Sequence, residues 1–199
     1  MKKLLSLIAL MLSLLFVLPA LAEAPALTAS SFSGFGFFDS GSESTESSDD
    51  GEEAAIARNT QFVQDFLNSR NYTYEKRKDN VFVLEFSIDG AYPDAELWLT
   101  VYASGVQCEV TCNVIVPDAA MAELCRYAMY VNSTQRVTLF YLDSGNELWS
   151  VNFCQAQKDG MDEDDFAFYY TSAMTRWEDF SESFKEIIEN GKTAAEMMN

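Results

Sequence analysis

Hydrophobic positions recur along this chain in two periods, and the places where the period changes mark out its elements. Ile56, Thr60, Val63, Phe66 and Leu67 return at helical spacing behind Glu52 and Glu53, which predicts an amphipathic first helix over residues 53–69 with acids at its positive end. The period then drops to two. Tyr72–Arg77 and Val81–Ile88 alternate as strands joined by a hairpin at Lys78-Asp79-Asn80, and Phe82, Leu84, Phe86 and Ile88 supply one apolar face. Beyond the loop Asp89–Asp94, a strand over 95–103 sets Leu97, Leu99 and Val101 against Trp98, Thr100 and Tyr102. Ser104-Gly105 turns it into a fourth strand, where Val106, Cys108, Val110, Cys112, Val114 and Val116 share a face.

Pro117 ends that strand, and Asp118 is placed to cap a short helix over Ala119–Val131. Strands Arg136–Leu142 and Glu147–Cys154 follow, joined by Asp143-Ser144-Gly145-Asn146, with Asn132 and Asp143-Ser144-Gly145 read as chain-turning residues. A last helix opens on Asp162-Glu163-Asp164-Asp165 and carries Phe166, Tyr170, Ala173, Trp177, Phe180, Phe184 and Ile187 down one stripe, the expected lid over the core. It stops near Asn190-Gly191, and residues 192–199 read as a tail. The predicted class is α+β: an antiparallel sheet in the order α-β-β-β-β-α-β-β-α, with helices packed on one face.

Val131-Asn132, then Val137-Thr138-Leu139-Phe140-Tyr141-Leu142-Asp143, Gly145 and Glu147-Leu148-Trp149, resemble YbjN-domain proteins. The resemblance covers roughly Ala54 to Ile188 in element order and apolar pattern. It implies a fold like that of type III secretion chaperones, with frequent dimerisation. Members are labelled sensory transduction regulators, and the label brings no catalytic residues to transfer.

What precedes the domain departs from that family's usual cytosolic form. Lys2 and Lys3 lead an apolar run from Leu4 to Leu18, then Pro19-Ala20-Leu21-Ala22, so residues 1–22 read as a signal peptide cleaved after Ala22. The run is shorter than the roughly 20 residues that span a bilayer, and no cysteine stands at the cleavage site to take lipid. The expectation is an exported protein, extracellular or in the cell envelope, periplasmic in a Gram-negative cell, with no stable membrane span after cleavage. Residues 23–52 read as a flexible Ser, Gly and acid tether, leaving residues 53–191 as the folded domain. Phe32, Phe35, Phe37 and Phe38 form an aromatic island in the tether, a candidate docking segment for a groove of this domain or of a partner.

Charge narrows the partners. The net charge is −18, and it becomes about −20 once the two leader lysines are removed, so nucleic acid is not an expected partner. The chain has no histidine, which excludes Ser-His-Asp and Cys-His catalysis and the usual histidine-containing zinc sites. No cofactor is implied. Cys108, Cys112, Cys125 and Cys154 are an even set in an exported chain, but Cys108 and Cys112 lie about 13 Å apart on one strand, too far to bridge. Cys125 falls on the apolar stripe of its helix with Met121, Leu124 and Ala128, which admits a bridge to Cys108 or Cys112, and Cys154 alternates against Trp149, Val151 and Phe153. Free thiols at core and sheet positions are the favoured reading.

The leading expectation is a non-catalytic protein-binding or adaptor module, possessing Trp98, Tyr102 and, if the parity of its strand allows, Phe140 on the sheet side away from the core. A homodimer interface is the other use of that surface. Two alternatives are a carboxylate enzyme built on Glu85, Asp89, Asp94 and Glu96, and an acidic calcium-binding envelope protein. Asp159, Asp162 and Asp164 lack the spacing of an EF-hand loop.

Overall fold

The computed structural model describes residues 49–135, 137–157 and 160–198, all within the compact unit Ser44–Asn199. The signal peptide and the aromatic island Phe32, Phe35, Phe37 and Phe38 lie outside the described residues, as does most of the tether.

The elements run α1 (Asp49–Ser69), β1 (Glu75–Lys78), β2 (Val81–Ser87), β3 (Asp94–Tyr102), β4 (Gly105–Ile115), α2 (Asp118–Thr134), β5 (Leu139–Leu142), β6 (Glu147–Gln155), α3 (Glu163–Ile188) and α4 (Ala194–Met197). The six strands form one antiparallel sheet in the order β1-β2-β3-β4-β6-β5, so the α+β class and the strand count agree with the pattern of the sequence.

One face of this sheet holds Phe82, Leu84, Leu97, Leu99, Val101, Val106, Cys108, Val110 and Leu148, all buried against the helices. The α3 stripe closes over them: Phe166, Tyr170, Ala173, Trp177, Phe184 and Ile187 are buried, with Phe180 at its margin. Alpha-helix α1 adds Val63, Phe66 and Leu67, and its Phe66 ring packs edge-on to Phe166 at 4.9 Å. Polar bonds fix the angle of α3 as well. Ser150 Oγ donates to the Ala173 carbonyl at 3.3 Å, Asn152 Nδ2 to the Tyr169 carbonyl at 2.5 Å, and Trp177 Nε1 to the Val110 carbonyl at 3.0 Å. Positions 169, 173 and 177 lie on one ridge of the helix, so a single ridge is bonded to the central strands.

Several boundaries differ from the sequence reading. The helix α1 starts at Asp49, inside the expected tether, and β1 begins at Glu75 because Tyr72 turns inward to bring its hydroxyl to that of Tyr170 at 3.0 Å. Asp118 opens α2 but does not cap it: Pro117 holds the cap position at φ −70 without a side-chain bond, and Asp118 stands in the first turn, where its charge suits the helix dipole. Asp162 does cap α3, accepting from Asp164 N–H at 2.9 Å and Asp165 N–H at 3.0 Å. The expected tail carries α4, closed by a reciprocal Thr193–Glu196 capping box, with Ala194 fully buried and its N–H bonded to Glu123 at 2.8 Å.

The thiols divide sharply. Cys108, Cys112 and Cys154 are buried and unbridged, whereas Cys125 is exposed, a correction to its place on the apolar stripe. The buried face of α2 is set by Ala120, Leu124, Tyr127 and Val131, and the Tyr127 ring on Phe184 turns Cys125 outward. Burial pushes the Cys154 thiol up to about 11, with Asp165 and Asp162 adding to it, and the Cys112 thiol up to about 12, with Asp94 adding. Cys108 is raised well above its ordinary value by burial first, then by Cys154 and Glu109. A thiol whose folded value is raised contributes its full stability below its unfolded value and loses it as pH climbs toward the folded one. The thermal midpoint is therefore expected to hold up to a pH near the ordinary thiol value of 9 and to fall above it. Iodoacetamide on the reduced native protein should label Cys125 alone, and the other three only in denaturant. Native labelling of all four would contradict the burial pattern.

Candidate functional site

The second face of the sheet is where the expected interaction surface must lie, and strand register builds it row by row. One row runs Val83, Trp98, Glu109, Val151, Leu139, and the next runs Glu85, Glu96, Thr111, Trp149, Tyr141. Tyr102, Gly105 and Gln155 lie at one end of the face. Because β4 lies between β3 and β6, the rings of Trp98 and Trp149 meet above it, 6.1 Å apart and edge to face. Tyr102 and Phe153 approach at 6.4 Å near the β3–β4 turn.

Polar groups are threaded through these rings. Trp98 Nε1 donates to Glu96 Oε2 at 3.0 Å, and the Tyr141 hydroxyl donates to Glu109 Oε1 at 2.5 Å. Burial, then the hydrogen bond and charge of Glu109, hold the Tyr141 hydroxyl protonated far above its ordinary range. Thr111 donates to Glu147 at the rim. The Arg77 guanidinium lies 5.6 Å from the Trp98 ring centre. Trp149 Nε1 is buried and has no partner. Tyr102, Phe153 and Leu139 on this face are exposed by 42%, 38% and 48%, values that set them apart from the buried helix-side residues of the same strands.

Of the three residues expected here, the structure brings Trp98 and Tyr102 to this face and removes Phe140. Phe140 is 3% exposed and packs edge-on to Trp177 at 5.7 Å and Phe184 at 4.8 Å, inside the helix-covered core. The strand β5 puts Leu139 and Tyr141 outward instead. Three further residues complete the face: Trp149 and Phe153, which alternate with Leu148, Ser150 and Cys154 along β6, and Tyr141, which alternates with Phe140 and Leu142 on β5. The misleading signal was polarity: β6 turns Ser150 and Asn152 inward and Trp149, Val151 and Phe153 outward, the reverse of the usual sheet.

Asn132 is not a turn residue. It lies within α2, its Nδ2 donates to the Phe140 carbonyl at 2.9 Å, and its Oδ1 accepts the Phe140 N–H at 2.8 Å, so one amide pairs with β5 as a neighbouring strand would. Asp143 does shape the hairpin, its Oδ1 accepting from the Gly145 and Glu147 N–H groups at 2.8 Å each.

The four acids of the enzyme alternative do not converge on a pocket. Glu85, Asp89 and Asp94 are exposed, and Glu96 is engaged by Trp98. An open cleft of about 430 Å³ is lined instead by Cys154, Gln155, Ala156, Gln157, Asp165 and Tyr169. Among the described residues, no three acidic or cysteine side chains converge in a way that holds a metal ion, and no helix is long and apolar enough to cross a membrane.

No family model matches the sequence, and no curated protein matches it. Among solved structures, the chain is similar to the crystal structure of YbjN from E. coli, proposed to be a transcription regulator, with a TM-score of 0.51 and 9% sequence identity. The match covers 64% of this chain and 92% of that one. At that identity the likeness shows the fold.

Proposed function

We propose that this chain is an exported, non-catalytic protein-binding module of YbjN type, which works outside the cytoplasmic membrane and holds a segment of another protein on the open face of its sheet. The observation that carries the reading is the Trp98–Trp149 ring pair with Tyr141, Tyr102 and Phe153 on a face that the described helices leave uncovered. Aromatic anchors of this kind concentrate binding energy in protein interfaces. The leader-like residues 1–22 support export, and the YbjN-like fold supports a regulator- or adaptor-like role.

Crosslinking the mature protein in its own envelope tests the surface. Trp98→Ala is expected to cut capture of the partner by about tenfold or more while the domain stays folded. Capture that survives unchanged, with only the thermal midpoint lowered, would make Trp98 a packing residue and remove the assignment.

A further inference from the structure

The open face combines two chemistries that a neutral apolar partner would leave partly unused. Its rings stand among carboxylates, Glu109 beside Trp98 in one row and Glu96 beside Thr111 in the next. Among the described residues, Glu96 accepts from Trp98 through Oε2 and Glu109 from Tyr141 through Oε1, and both carboxylates are half-buried. A guanidinium is already drawn to this face, since Arg77 lies over the Trp98 ring at 5.6 Å from its centre.

We propose that the occupant of this face is an arginine- or lysine-bearing segment of a partner protein, with its cations stacked on Trp98 and Trp149 and paired with Glu96 and Glu109. The inference rests on the binding role given above and names the chemistry of its partner. Charge decides between occupants: a second copy of a chain with net charge −18 brings the same acids to the same acids, whereas a cationic segment is drawn in and paired on arrival.

The probe is a short synthetic peptide repeating Arg-Val-Ser, set against Glu-Val-Ser and Gln-Val-Ser peptides and read by tryptophan fluorescence on the mature chain. The arginine peptide is expected to quench saturably and more strongly at low salt. Trp98→Ala and Glu109→Gln should each raise its Kd by about tenfold. Glu53→Gln, the same charge change on α1, should leave it unmoved, and the Glu-Val-Ser peptide should not bind. Equal effects of Glu53→Gln and Glu109→Gln would reduce the binding to diffuse attraction and overturn the proposal. So would a mature chain that sediments as a dimer dissociated by Trp98→Ala, because a second copy would then hold the face. Gln-Val-Ser binding as tightly as the arginine peptide, with envelope capture still lost in Trp98→Ala, would remove the cationic assignment and leave the binding surface standing. Capture and peptide binding both indifferent to Trp98→Ala would remove both.

Discussion

Trp177→Ala is expected to lower the free energy of unfolding by about 3–5 kcal/mol, close to the whole stability of a marginal domain. Trp177 is fully buried near the middle of α3, and its ring meets Phe140 at 5.7 Å, Phe184 at 5.9 Å and Tyr92 at 6.4 Å. Those three rings come from β5, from α3 itself and from the β2–β3 loop, so the indole joins regions that are far apart in sequence. Truncation leaves a cavity that none of them can fill without leaving its own partners. The same change strips the Val110 carbonyl of its indole donor at the centre of the sheet. Trp177→Phe separates the two effects: it keeps much of the volume, loses the hydrogen bond, and is expected to cost about 1–2 kcal/mol, less than Trp177→Ala. Urea denaturation followed by far-ultraviolet circular dichroism measures both. A Trp177→Ala loss below about 1 kcal/mol would mean that α3 is not the lid of this core.

The α3 stripe that holds Trp177 was legible because seven apolar positions in helical register have one physical use, to cover a sheet. The strands β3 and β4 were legible for the matching reason, since the apolar set of each alternates and is buried, and β2 was legible in part: Phe82 and Leu84 are buried as their alternation reads, but Val81 and Val83 are buried on the other face as well. Legibility fails where polar groups are satisfied by distant backbone. Ser150 and Asn152 look solvent-facing, yet they bond to α3 carbonyls, and this frees β6 to show its aromatics outward. Phe140 was misplaced because β5 is apolar on both faces, so no alternation distinguishes them, and the packing of its ring on Trp177 and Phe184 decides which side is in. Two of the five aromatics of the candidate surface, Trp98 and Tyr102, were readable from β3, while Trp149, Tyr141 and Phe153 required the strand order that places β6 beside β4. Sequence shows the parity of a strand, but the neighbour that completes a surface comes from topology.

Gly105→Ala is expected to cost at least about 2 kcal/mol and to disturb the open face together with the fold. Gly105 begins β4 at φ +150, and a Cβ there would stand 2.1 Å from the Cys154 carbonyl oxygen and 2.9 Å from Cε1 of Phe153. The first contact is with backbone of the neighbouring strand, which cannot swing aside as a side chain can, so relief requires β4 and β6 to part at their paired ends, Gly105 and Gln155. The second contact is with one of the rings that the missing side chain allows to approach Tyr102. Two readouts follow from this geometry. Urea denaturation should report the lost stability, and binding of the arginine peptide should weaken even under conditions where circular dichroism shows the variant fully folded. The comparison with Trp98→Ala separates the causes, since Trp98→Ala removes an anchor from an intact sheet and Gly105→Ala leaves that anchor in place on a sheet whose end has shifted. A Gly105→Ala protein with unchanged stability would show that β4 and β6 do not approach as closely as the register requires.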